Sequence, residues 1–521
     1  VTASALEMTG MLGACGAAAV ALVVQDRRAW LAAMAAALII APILVAGDVW
    51  DEPRVVDFRD SPAQIGLALV VGVGALALLV ATFRRYPAAL PIVAFAVLPL
   101  RVPIDVGGET ANLLVPLYLV IAAGVISAAI GRHGARLARD GGPWPTRLRW
   151  ALAATLVLYA IQASYSVDVA NAIENIGFFL VPFAVLFAIL AEVEWSRELL
   201  RRTLIAVAAV AAGCAAVGVY QYFARDLFLN PELFDANELH VYFRVNSIFF
   251  DPNIFGRYLA LALTGLAACL AWGGERRDLA LAAGVATVCM VALAFSYSLT
   301  SIAALLAGLG TIAVLRWRWR GAAAFAGAGA VALVALLIAG GTPTSDIQSD
   351  RSIDSGHADL VRGGLVLFGV LDPEPPSAQV ARPADAGEPV GRPIAGYGSG
   401  SFGRAFFEHI EPARTTVSHS EPITVAAEQG VIGLLVYAAL LVCALATLFG
   451  AGPGASLVRT AAAACFVAIL IDSFGYTGFV IDPATWALLG LGIALRREAE
   501  PSRAAVEAPT SNPPEPSATI T

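Results

Sequence analysis

Apolar runs of roughly 16–22 residues follow one another along almost the whole chain, separated by short polar or arginine-bearing links. Each approaches the length at which a helix crosses the hydrocarbon core of a bilayer. The runs are continuous rather than alternating, so the period-2 strands of a membrane barrel do not fit. Backbone groups inside lipid must be paired within their own segment, which leaves helices. The predicted spans are 9–25, 29–46, 64–82, 87–100, 111–130, 148–164, 174–191, 203–221, 254–272, 278–296, 299–315, 321–340, 430–449, 460–475 and 483–495. The expected fold is an all-α, polytopic transmembrane helical bundle of about 12–15 spans.

Two long polar segments interrupt the pattern and divide the chain. N-terminal helices occupy 1–221, a loop 222–253, central helices 254–340, a large loop 341–429, C-terminal helices 430–498 and a tail 499–521. The tail is rich in Pro, Ser, Ala and Glu without apolar periodicity and is expected to be disordered. Within the large loop, 357–370 is expected to form an amphipathic surface helix with Val361, Leu365 and Phe368 on one face. The run Gly396-Tyr397-Gly398-Ser399-Gly400 predicts a tight turn with close backbone approach. A short helix carrying Phe402, Phe406 and Phe407 should follow it.

Composition supports the membrane assignment. Of 521 residues, 58% are hydrophobic and 14% charged, and the mean hydropathy is +0.75, which excludes an ordinary soluble globule. The net charge of −7 is less informative than where the charges lie. All basic residues are Arg. They cluster at Arg27-Arg28, Arg84-Arg85, Arg132 to Arg149, Arg197 to Arg202, Arg276-Arg277, Arg316 to Arg320, Arg459 and Arg496-Arg497. With the spans above, every cluster falls on one side, which the positive-inside rule makes cytoplasmic, provided 297–300 turns tightly on the other side. Both long loops are then extracytoplasmic. The first helix is expected to stay inserted, because the amino terminus lacks the charged region of a secretory signal. The six cysteines sit in apolar spans without metal-ligand spacing. No phosphate-binding loop of a nucleotidase and no basic nucleic-acid face is evident, so neither nucleotide nor nucleic acid is an expected partner.

Polar chemistry concentrates in the two outer loops. His419 stands just before a helix start, where Pro422 suits the first turn and Ser420 the N-cap position. Glu421 and Glu428, seven residues apart, share a helix face. In the other loop, Asp251-Pro252-Asn253 signals a helix start. Arg244 and Arg257 bracket it with two permanent cations suited to phosphate. Asn171, Glu174 and Asp472 lie at span ends, where ionisable or polar groups tend to face a cavity.

Three motifs, in this order and on this side, resemble the O-antigen ligase and polymerase superfamily of bacterial polytopic membrane glycosyltransferases. They are Arg244-x5-Phe250-Asp251-Pro252-Asn253-x2-Gly256-x-Tyr258-Leu259, the Gly396 to Phe402 segment, and His419-Ser420-x7-Glu428-x-Gly430-x2-Gly433. The resemblance covers roughly 240–450. It implies inverting transfer of a glycan from an undecaprenyl-diphosphate-linked oligosaccharide to a hydroxyl of a glycan, lipid or protein acceptor. The reaction would occur on the outer face of the cytoplasmic membrane, without metal or other cofactor. His419 would orient or deprotonate the acceptor hydroxyl, and Arg244 would stabilise the diphosphate. Leu299 and His357 stand where the family often carries cations. Arg351, Arg362 or Arg257 are then candidates to supply the missing charge, with Glu421, Glu428, Asn253 and His357 as further substrate contacts. A single copy of the chain is expected to suffice. A secondary transporter of a small solute or anion is the alternative, and it should show two related halves with helices interrupted at mid-membrane.

Overall fold

The computed structural model describes residues 3–106, 109–131, 142–227, 237, 242–338, 351–372, 390–411, 417–450 and 457–507. Every predicted span falls on a helix of this structure. Among the described residues, nine helical stretches are long and apolar enough to cross a membrane, and Val115–Ile130 is a shorter apolar helix. The outer surface carries large apolar side chains that water would penalise. On helix Pro62–Arg85, Leu67, Val70, Val71 and Val73 are all more than half exposed. Such a surface suits lipid, and the chain is a multi-pass membrane protein.

The bundle has two packed parts. One joins helices Ala5–Val23, Arg27–Asp48, Val115–Ile130, Pro143–Ala163 and Val181–Leu190 to the C-terminal helices. The other joins Arg197–Ala224, Pro252–Trp272, Arg276–Ser296 and the first part of Leu299–Ile338. Small residues such as Ala14, Ala18, Ala37, Ala260 and Ala292 line both interiors, letting helix backbones approach where no hydrophobic force separates protein from lipid. Helix Leu457–Asp472 belongs to both parts: Phe466 and Ile469 pack into the first and Ala468 into the second.

Arginine side chains tie the helices together at one end. Arg149 donates to Leu22 O and Glu192, Arg497 to Glu192, Arg27 to Ala128 O, Arg316 to Ala271 O, and Arg496 to Thr447 O and Gly450 O. The outer-loop residues gather at the opposite ends of the same helices. The expected turn at 297–300 is present. Helix Arg276–Ser296 ends at Tyr297 in the left-handed region (φ 50°), and the next helix starts at Leu299. Left-handed breaks at Arg318 and Gly430 divide two helices that otherwise run on.

The structure departs from expectation in three places. The link between the predicted spans 87–100 and 111–130 is not a plain loop: Val102–Val106 and Glu109–Leu113 pair as antiparallel strands, and the next helix starts later, at Val115. The surface helix starts earlier than expected, running over Arg351–Phe368, and it turns a second apolar face to the protein. Leu360, Val366 and Leu367 are buried, while Gly363 and Gly364 let Phe406 and Ile423 approach. Val361 is left 37% exposed. The final helix extends to Glu507, past 498, as the Ala-, Arg- and Glu-rich sequence favours. Residues 508–521 lie outside the described part, as do 339–350 and 373–389 of the large loop.

The glycine-rich turn threads the large loop into the bundle. Gly396, Gly398 and Gly400 all have positive φ (67°, 96° and 77°). A Cβ on Gly398 would lie 2.3 Å from Ser166 Cα, and one on Gly396 would lie 2.2 Å from Glu428 O. Gly398→Ala combines left-handed strain with a backbone clash and should lower unfolding stability by about 2–4 kcal/mol. Thermal unfolding of the purified protein in nanodiscs reads this directly; an unchanged midpoint would contradict the threaded geometry.

Candidate functional site

The site forms where helix Pro252–Trp272, the turn 297–301, the 473–482 loop and the start of helix Glu421–Phe449 meet. Asp251 caps the first of these helices, its carboxylate accepting from Asn253 N at 2.6 Å, with Pro252 in the first turn. One turn further on lies Arg257, 3% exposed. Its Nε donates to Asp472 Oδ2 (2.5 Å) and its Nη1 to Asp482 Oδ2 (3.2 Å) and Gly478 O (3.3 Å). Its Nη2 donates to Tyr476 O (2.7 Å) and Thr477 O (3.3 Å). These bonds occupy all the donors a guanidinium has. Asp472 also accepts from Ser301 Oγ at 3.1 Å, and Ser298 Oγ lies 2.9 Å from Ser301 Oγ.

The 473–482 loop is gripped from its other side by Glu421, 4% exposed, whose Oε2 accepts from Gly478 N (2.8 Å) and Phe479 N (3.2 Å). Held by Arg257 on its carbonyls and by Glu421 on its amides, the loop presents the Tyr476 ring to His419 at 5.6 Å between centroids. The Asp251 carboxylate acts on the Tyr476 hydroxyl electrostatically. Burial and that carboxylate hold it well above the usual phenol range, so it stays a neutral donor. His419 is half-buried, with Nδ1 shielded, and has φ 54°, a left-handed conformation uncommon for a non-glycine residue. The hydroxyl of the adjacent Ser418 bridges Ser420 O and Thr424. Ser420 occupies the N-cap position but makes no side-chain cap bond.

Arg244 reaches the same region from the preceding loop. Its Nη2 donates to Asn253 Oδ1 and its Nε to Ser296 O, both at 3.0 Å. Both acceptors are neutral, and no carboxylate pairs with it among the described residues. His419 thus packs on Tyr476, whose hydroxyl feels the charge of Asp251, and Asp251 caps the helix whose Asn253 accepts from Arg244. Glu428 does different work: its two oxygens accept from Gly400 N (2.8 Å) and Phe402 N (3.0 Å), pinning the glycine turn and the start of helix Phe402–His409. Asn171 assists by donating to Gly400 O at 2.6 Å. Glu421 and Glu428 therefore share an inward helix face, each anchoring a different loop.

Arg362 lies on the exposed side of helix Arg351–Phe368. The side chains of Arg351 and His357 lie outside the described part of the structure. Leu299 is 71% exposed at the turn. Tyr476, Asp482 and Ser301 join the site without having been singled out in the sequence. The available signal was their position at span ends away from the arginine clusters. Among the described residues, no three His, Cys, Asp or Glu side chains converge as a metal site would require. No protein-family model matches the chain, and no curated protein matches it.

Arg257→Leu should be destabilising by about 3–5 kcal/mol, because it leaves Asp472 and Asp482 buried without their cation. Combining it with Asp472→Asn should recover part of the loss. Thermal unfolding of the single and double variants checks this; a neutral Arg257→Leu would mean that the arginine is held for a ligand rather than for the fold.

Proposed function

We propose that the protein is a nucleotide-independent glycosyltransferase that uses a polyprenyl-diphosphate-linked glycan on the outer face of the cytoplasmic membrane, as O-antigen ligases and polymerases do. The observation that carries this reading is the gathering, at the bundle end opposite the arginine clusters, of His419 packed on Tyr476 and of Asp251, which acts on Tyr476 and caps the helix whose Asn253 binds Arg244. A base and a guanidinium that no carboxylate pairs with among the described residues are the two groups that displacement of a diphosphate requires.

In this reading the acceptor hydroxyl attacks the anomeric carbon and the new C–O bond forms as the bond from that carbon to the diphosphate oxygen breaks, with inversion. The hydroxyl proton passes to the His419 imidazole, on Nε2, since Nδ1 is shielded. The electron pair leaves on the diphosphate oxygen, where Arg244 stabilises the charge. Tyr476, kept neutral, donates a hydrogen bond and sets the face of the imidazole. Arg257 and Glu421 act through the loop they hold, as positioning residues. An open apolar groove of about 360 Å³, lined in part by Leu263, Ala267, Met290 and Leu309, suits a lipid chain. It lies on the same helices whose ends carry Asn253, Ser296 and Ser301. The transporter alternative would place its polar chemistry near mid-membrane, whereas this network lies at helix ends.

The test is transfer in vitro from synthetic undecaprenyl-diphosphate oligosaccharides, with product mass as readout. His419→Gln should reduce turnover at least about 100-fold while leaving thermal stability unchanged. Arg244→Gln should cost roughly 3–4 kcal/mol of transition-state stabilisation. Wild-type turnover by the His419 variant would overturn the reading.

A further inference from the structure

Aromatic rings gather beside Arg244. They come from the end of helix Arg197–Ala224, from the segment that leads into Arg244, and from the end of helix Arg276–Ser296. Tyr222 stacks on Phe295 with 3.7 Å between centroids and 5° between planes, and Phe223 meets both edge-on. Tyr242 stacks on Tyr297 at 4.6 Å and 24°. The Arg225 guanidinium lies over Tyr222 at 4.7 Å and over Phe243 at 5.1 Å, joining the two groups of rings. The backbone fixes this cluster to the site. Val245 N donates to Phe295 O at 3.2 Å, and Arg244 Nε donates at 3.0 Å to the carbonyl of Ser296, the residue before Tyr297.

A belt of interfacial aromatics anchors a protein at the headgroup level and asks for no fixed conformation. Tyr297 has one. It ends its helix at φ 50°, in the left-handed region where glycine is usual and a bulky residue is an outlier. Strain of this kind persists where the surroundings hold it, and it concentrates at ligand sites. Tyr242 covers one face of the Tyr297 ring, and Tyr297 is still 40% exposed.

We propose that Tyr242 and Tyr297 form a sugar-stacking platform, the subsite for the glycan residue next to the diphosphate. That the sugar belongs to a lipid-linked donor rests on the proposed function. A pyranose has an apolar face of C–H bonds, which packs on an aromatic face, and a rim of hydroxyls, to which a phenol can hydrogen-bond. Rings already fixed by stacking lose little conformational freedom when a ligand arrives. A diphosphate held by Arg244 carries its first sugar one link away, beside the residue that follows Ser296. The site then divides its tasks: Arg244 binds the charge, and the tyrosines bind the ring whose anomeric carbon is attacked.

The experiment compares two probes on the full-length protein in nanodiscs: undecaprenyl diphosphate, and undecaprenyl diphosphate carrying a single hexose. Wild type should bind the glycosylated lipid more tightly. Tyr297→Leu keeps an apolar side chain and removes the aromatic face. It should weaken the glycosylated lipid at least about tenfold and leave undecaprenyl diphosphate where it was. Tyr297→Phe should retain most of the affinity, with the unfolding temperature of each variant measured alongside. Should Tyr297→Leu not fold, Tyr242→Leu decides by the same comparison. If wild type binds the glycosylated lipid and the Leu variant binds it equally well, or loses both probes alike, the rings are an interfacial anchor. The inference then falls while the glycosyltransferase reading stands. Equal binding of the two probes by wild type has the same consequence. If wild type binds neither probe, both fail.

Discussion

The buried Arg257 is the interaction on which the rest of this end of the molecule depends. It sits on one helix and binds Asp472 at the end of another, Asp482 just before a third, and three consecutive carbonyls of the loop between those two. Removing such charges from water is expensive, and only the complete set of acceptors makes burial tolerable. The arrangement is therefore close to all-or-none. Helix Leu457–Asp472, shared by both packed parts, cannot shift along Pro252–Trp272 without leaving a buried charge exposed to apolar surroundings.

That constraint explains how a short loop holds a defined geometry. Residues 476–479 have their carbonyls fixed by Arg257 and their amides by Glu421, and Phe479 is buried against Tyr437 and Phe466. Tyr476 is consequently presented at one angle to His419, while the Asp251 carboxylate acts on its hydroxyl. His419 keeps its left-handed backbone because Ser418 and the first turn of the following helix hold the chain on both sides. Strain of this kind persists only where the surroundings over-determine it.

The acidic residues show how similar groups come to different tasks. Glu421 and Glu428 lie on one helix face, and each spends its oxygens on backbone amides, one for the 473–482 loop and one for the glycine turn. Together they anchor both irregular segments to a single helix. The large loop is thus docked on the bundle through Gly396, Gly398 and Gly400, whose missing side chains admit the backbones of Glu428, Ser166 and Ala172.

The sequence by itself determined the membrane class, the positions of the helices, the side on which the arginine clusters gather and the helix start at Asp251-Pro252-Asn253. These follow from local properties: the length of apolar runs, charge asymmetry and capping chemistry. Glycine at 396, 398 and 400 likewise announced close backbone approach, though not what would approach. Only the tertiary structure decided the rest. Arg257, legible as a phosphate ligand, proves to have its donors occupied by residues more than 200 positions away. Val361 belongs to a face the helix turns away from the protein, because the glycines at 363 and 364 offer the closer contact. Tyr476 enters the site because helix packing brings 251, 419 and 476 together. Sequence periodicity shows which face of a helix is buried in something, but the partner across a bundle is set by how every helix packs at once.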